Sequence, residues 1–126
     1  KSLSKKLERW QKIAASAAEQ SGRGRIPTVR AAKSFREAVL EASTCDLPLF
    51  PYENEKTLPL SACLKEHSYR TVSIMTGPEG GFSEDEVAFA GENNMNICSL
   101  GPRILRCETA PLCALTAVLF AAGALD

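Results

Sequence analysis

The chain has 126 residues, of which 44% are hydrophobic and 24% charged, enough to bury one core and too apolar for a wholly disordered polymer. Fifteen bases balance fifteen acids overall, but residues 1–36 hold ten Lys or Arg against Glu8 and Glu19, a local +8, while the remainder holds five bases against thirteen acids, a local −8. Such asymmetry favours an anionic partner on one side of the fold, nucleic acid being the usual one, or else marks a solvated helix face.

In chain order, Leu3, Leu7, Trp10, Ile13, Ala14 and Ala17 recur at spacings of three and four, which predicts an amphipathic first helix with Gly22 as its C′ residue. "RIPTVR" is short and β-branched and reads as a strand; "SFREAVLEAS" opens on Ser34 with Glu37 three places on, a capping box that starts a second helix. Residues 46–70 read as a strand around Leu47 to Tyr52 and a proline-punctuated connection. "TVSIMT" predicts a buried strand, and Ser83 with Glu86 a second capping box heading the helix "EDEVAFAGEN". "NICSL" is another strand, and Pro111 to Leu125 a long, almost wholly apolar helix.

Strands alternating with helices imply an α/β fold with a mostly parallel sheet flanked by helices, in which ligands bind outside the carboxyl ends of the strands. The loops 77–81 and 101–106 each follow a strand and are expected to line one crevice. The last helix is interrupted by Pro111, Thr116 and Gly123 and is too short an apolar run for a membrane span, so a soluble chain is expected. Its Leu112, Leu115, Val118, Leu119 and Phe120 cover more than one face, so one side should pack on the sheet and the other on a homodimer partner or another domain of the same chain. Five cysteines without CxxC spacing, and His67 alone in a polar stretch, read as reduced thiols rather than a metal site.

"MTGPEGGFSEDE" places glycines before a helix N-terminus, an arrangement suited to phosphate. The P-loop and dinucleotide spacings are absent, and Glu79, Glu84, Asp85 and Glu86 would repel phosphate, so a ligand with hydroxyls or positive charge fits better. "GPRILRCETA" carries Arg103, Arg106, Glu108 and Thr109; an arginine beside backbone amides can stabilise developing negative charge, while Arg106 and Glu108 simply pairing is the plainer alternative.

"ERWQKIAASAAEQSGR", "GPEGGFSEDE" and "LGPRILRCETAPLCAL" together resemble the RsmE family of 16S ribosomal RNA methyltransferases, members of the SPOUT superfamily. The resemblance implies a C-terminal trefoil knot and S-adenosylmethionine as the cofactor that methylates N3 of a uridine. It implies cofactor binding by Gly77, Pro78, Glu79, Gly80, Leu100, Gly101, Ile104, Leu105 and Arg106, with Arg106 as the catalytic side chain. Arg23, Arg25 and Arg30 become candidates for RNA phosphates. Homodimerisation through the C-terminal helix and knot is implied as well, with a bacterial cytoplasm as the default location and a chloroplast or mitochondrion as the alternative. Family members begin with a PUA-like barrel and a strand, helix and strand that this sequence lacks, so residues 1–126 are read as a partial methyltransferase domain. A non-catalytic RNA-binding or dimerisation module with a degenerate cofactor site is the competing reading.

Overall fold

The computed structural model describes residues 2–21, 28–30, 33–53, 58–66, 68–78, 80–100 and 109–123. It divides into two compact units, Lys1–Lys33 and Ser34–Asp126.

In the first unit, helix α1 spans Ser2–Ser21; Gly22, expected to end it, lies outside the described residues. Leu7, Gln11, Ala14 and Ala15 are half-buried. Trp10 and Ile13, expected on the covered stripe, are instead 41% and 58% exposed. The helical period fixes which residues share a face, not which face is covered. The strand expected at "RIPTVR" is not formed at residues 28–30, its fully described part. Val29 gives its N–H to the Gln11 side chain at 2.8 Å instead of to a strand ladder, and a strand requires a neighbour to pair with.

The described residues of the second unit form a three-stranded parallel sheet between two pairs of helices. Helix α2 (Phe35–Ala42) begins with the expected capping box: Glu37 N–H donates to Ser34 Oγ and Ser34 N–H to Glu37 Oε1, both at 3.2 Å. Strand β1 (Leu47–Pro51), helix α3 (Leu60–Glu66), strand β2 (Val72–Ile74), helix α4 (Glu84–Glu92), strand β3 (Asn96–Cys98) and helix α5 (Ala110–Ala121) follow. Helix α3 falls where a bare connection was expected. Leu60 and Cys63 are buried and Leu64 is half-buried, a helical spacing that the surrounding prolines obscure.

The sheet order is β2-β1-β3, with β1 parallel to both neighbours. Two prolines sit in this central strand, a position normally closed to them. Alternation along a parallel strand resolves the conflict. Leu47 N–H points to Thr71 O on the β2 side and Tyr52 N–H to Cys98 O on the β3 side. The missing N–H of Pro48 therefore falls on the β3 side, before that ladder starts at Leu49. That of Pro51 falls on the β2 side, beyond the last pair at Leu49. Neither proline removes a ladder bond.

Every residue of β1 is buried, and alternation sends its side chains into two cores. Leu47 and Leu49 pack with Leu60, Cys63, Cys98 and Val118 on the face of α3 and α5. Phe50 packs with Val39, Ala90 and Met95 on the face of α2 and α4. Leu47, Leu49 and Phe50 are fully enclosed, each contributing about 1.5–3 kcal/mol relative to exposure. At the amino end of the sheet, Asp46 Oδ2 accepts from Arg70 N–H at 2.8 Å and Thr71 N–H at 3.3 Å, while Asp46 N–H donates to Thr71 Oγ1 at 2.9 Å. These bonds tie the entry of β2 to the entry of β1.

Helix α5 ends at Ala121, earlier than the Leu125 expected, where Gly123 takes φ 76° and supplies the left-handed turn that closes a helix. Its apolar surface divides as the sequence suggests. Ala114 and Val118 are buried against the sheet side, whereas Leu112, Leu115 and Phe120 are 67%, 48% and 73% exposed.

Candidate functional site

Because the three strands are parallel, the segments leaving β2 and β3 emerge at one end of the sheet, on either side of the end of β1. Strand β2 hands over to the glycine loop with Met75 N–H donating to Leu49 O at 3.0 Å. Pro78 O accepts the Gly81 N–H at 2.8 Å, closing a tight turn, and Gly81 adopts φ 75°, a conformation that favours glycine. Ser83 then caps α4, its Oγ accepting from Glu86 N–H at 3.2 Å and its N–H donating to Glu86 Oε1 at 2.9 Å. Glu84, Asp85 and Glu86 complete the first turn, where the helix dipole favours carboxylates.

Phe82 fixes this loop to the core. Its ring centroid lies 4.3 Å from that of Phe50 and 5.7 Å from that of Phe35. Gly77 sits on the same ring: a Cβ there would meet Phe82 Cε2, Cδ2 and Cζ at 3.1, 3.2 and 3.3 Å. Gly80 is the opposite case, with nothing within 4 Å of the position its Cβ would take. One glycine therefore allows close packing inward, and the other leaves bare backbone facing open space. The sequence reading named both glycines but missed Phe82; an aromatic between "GG" and a capping serine was the available signal.

The second segment leaves β3 through Ser99, whose N–H donates to Leu58 O at 2.8 Å and whose carbonyl accepts from Leu60 N–H at 2.9 Å. Leu100 follows, half-buried and packed against the core cluster of Leu47 and Leu49. Thr109 is the residue before α5, with Pro111 in that helix's first turn, where a missing N–H costs nothing.

The structure thus brings Gly77, Pro78 and Gly80 into one loop and places Leu100 at the same sheet end. Glu79, Gly101, Ile104, Leu105 and Arg106 lie outside the described residues, as do Arg23 and Arg25. Arg30 is exposed, in the connection that follows α1. Among the described residues no three His, Cys, Asp or Glu gather as a metal site, and no helix is long and apolar enough to cross a membrane.

Comparison with known proteins agrees with this geometry. The chain is 42% identical over 127 residues to ribosomal RNA small subunit methyltransferase E of Bacillus subtilis, covering 95% of the chain and 49% of the relative. It is 38% identical over 115 residues to the protein of the same name from Synechocystis, covering 90% and 38% respectively. The crystal structure of that methyltransferase from Neisseria gonorrhoeae, bound to S-adenosyl methionine, superposes with a TM-score of 0.83 at 37% identity, over 95% of this chain and 49% of the other. The chain spans half or less of the length of these relatives. A family model described as an RNA methyltransferase domain matches residues 1–119, and with the parallel sheet and its two loop-bearing strand ends in place, the chain belongs to the RNA methyltransferase domain family.

Proposed function

We propose that the chain is the catalytic part of an S-adenosylmethionine-dependent methyltransferase of SPOUT type that acts on N3 of a uridine in small-subunit (16S) rRNA. One observation carries the proposal: the glycine loop leaves β2, and Ser99 and Leu100 leave β3, at a single end of the parallel sheet in a chain of the RNA methyltransferase domain family.

The residues fit the cofactor's chemistry. Gly80 offers backbone with no atom within 4 Å of a Cβ position, so a flat ring can approach main-chain donors and acceptors closely. The carboxylates of the first turn of α4 favour a sulfonium over a phosphate. Gly77, Pro78, Glu79 and Gly80, with Leu100, Gly101, Ile104, Leu105 and Arg106, are the residues assigned to hold it. When bound, the cofactor supplies an electrophilic methyl group. The protein's tasks are to align uridine N3 with that methyl and to stabilise the negative charge left as N3 loses its proton. Arg106 is assigned the second task, since a guanidinium can stabilise a uridine anion through its carbonyl oxygens. Arg23, Arg25 and Arg30 are assigned to RNA phosphates.

Threading of the 99–109 segment through the preceding loop as a trefoil knot, and a homodimer built on α5, belong to the same proposal. The dimer is supported by Leu112, Leu115 and Phe120, which leave an apolar face of α5 uncovered. A bacterial cytoplasmic location completes it.

The test is calorimetric titration with S-adenosylmethionine, followed by mass analysis of small-subunit rRNA incubated with the chain. Heat of binding and a gain of one methyl on a uridine are expected. Arg106→Ala should lose the methylation even at cofactor concentrations that saturate the variant. Absence of cofactor binding, or full methylation by Arg106→Ala, refutes the corresponding assignment.

A further inference from the structure

Helix α1 carries an exposed basic row that the proposed reaction does not use. At 3.6 residues per turn, Lys5, Arg9, Lys12 and Ser16 fall within an arc of about 60°, and all four are exposed. Their row lies on the side of the helix opposite the half-buried Leu7, Gln11, Ala14 and Ala15. Among the described residues, Arg9, Lys12, Ile13, Ser16 and Ala17 border an open depression of about 340 Å³. None of Lys5, Arg9 and Lys12 has an ion-pair partner among the described residues. Glu8 is the only acid in residues 5–17, and it stands to one side of the row.

A solvated helix face normally mixes charges of both signs, as pairs four residues apart stabilise it. Here three cations align over a rise of about 10 Å with one acid beside them, in a segment where ten bases face two acids. The spacing matches a string of anions better than a single one. A polynucleotide backbone is the anion string that an RNA methyltransferase domain meets. We propose that the Lys5–Arg9–Lys12 row of α1 is a track for RNA phosphates, in addition to the arginines that follow the helix.

The inference rests on the RNA-methylating function proposed above, and the experiment separates the two. Binding of transcribed small-subunit rRNA to the chain is measured by fluorescence anisotropy between about 50 and 200 mM salt, beside calorimetric titration with S-adenosylmethionine. Three phosphate contacts on single-stranded RNA contribute about 2 to the slope of log affinity against log salt. The triple variant Lys5→Gln/Arg9→Gln/Lys12→Gln is expected to lose that much slope while keeping its cofactor affinity and helical circular dichroism. Arg9→Lys, which keeps the charge, should retain the slope, as should Lys65→Gln on α3. An unchanged slope in the triple variant, with RNA and cofactor still bound, overturns the phosphate track and leaves the methyltransferase assignment standing. Such a face would then be solvated or covered by the remainder of a longer chain. Failure of the parent chain to bind cofactor refutes the methyltransferase assignment itself, and failure to bind RNA overturns the track.

Discussion

Gly77→Ala tests how the glycine loop is held. The added Cβ would stand 3.1–3.3 Å from three atoms of the Phe82 ring, a few tenths of an ångström inside ordinary contact. A flexible side chain would yield, but the Phe82 ring is held by Phe50 at 4.3 Å and Phe35 at 5.7 Å between centroids. Phe50 in turn is fully buried in the central strand. The strain therefore has to be taken up by the loop or by the aromatic cluster, at the ~1–3 kcal/mol typical of overpacking. Urea unfolding should show a lower midpoint with an unchanged m-value. If the loop takes the strain, cofactor affinity falls as well, by about tenfold for each 1.4 kcal/mol. The diagnostic variant is Gly77→Ala/Phe82→Leu. Leucine lacks the ring atoms that the methyl would strike, so the double variant should be more stable than the sum of the single effects by about 0.5–2 kcal/mol. Strict additivity, or a Gly77→Ala protein as stable as the parent, refutes the claim that Gly77 is required by contact with Phe82.

The two neighbouring glycines should respond differently to the same substitution. Gly81→Ala forces a side chain onto φ 75° and should cost about 1–2 kcal/mol in unfolding, whereas Gly80→Ala, which meets nothing within 4 Å, should leave stability unchanged and lower cofactor affinity. Ser83→Ala removes the hydroxyl of the second capping box and should destabilise by about 0.5–2 kcal/mol in the same assay. Asp46→Ala leaves the Arg70 and Thr71 N–H groups without their carboxylate, and a loss of about 1–3 kcal/mol is expected with cofactor affinity unchanged, because the bonds lie at the far end of the sheet from the loops. Leu112→Asp/Phe120→Asp places charge on the exposed face of α5 and should shift sedimentation from dimer to monomer; a parent chain that sediments as a monomer at all concentrations counts against the homodimer.

Local chemistry was legible in the sequence because it acts over three or four residues. Both capping boxes form at Ser34 and Ser83 as their spacing predicts, and the alternation of strands and helices foretold the parallel sheet, with the glycine loop leaving β2 at its carboxyl end. Against a phosphate site stood the carboxylates Glu79, Glu84, Asp85 and Glu86, by composition alone.

What depends on contacts distant in the chain was decided only by the fold. The helix at Leu60–Glu66 is set by burial of Leu60 and Cys63 beneath a sheet whose strands lie on either side of it in sequence. "RIPTVR" has a strand's composition, yet Val29 bonds to Gln11 on α1, since a strand exists only where another offers a ladder. The helix period of α1 was correct, but the period does not say which side is covered, and Trp10 and Ile13 remain exposed. Two prolines in a central strand would have argued against it in sequence; the stagger of β2 and β3 against β1 makes them harmless. The placing of Gly77 on Phe82, and of Phe82 on Phe50 across more than thirty residues, follows from side-chain shape in three dimensions. Sequence patterns record what each residue prefers of its neighbours along the chain; packing decides which of those preferences are met.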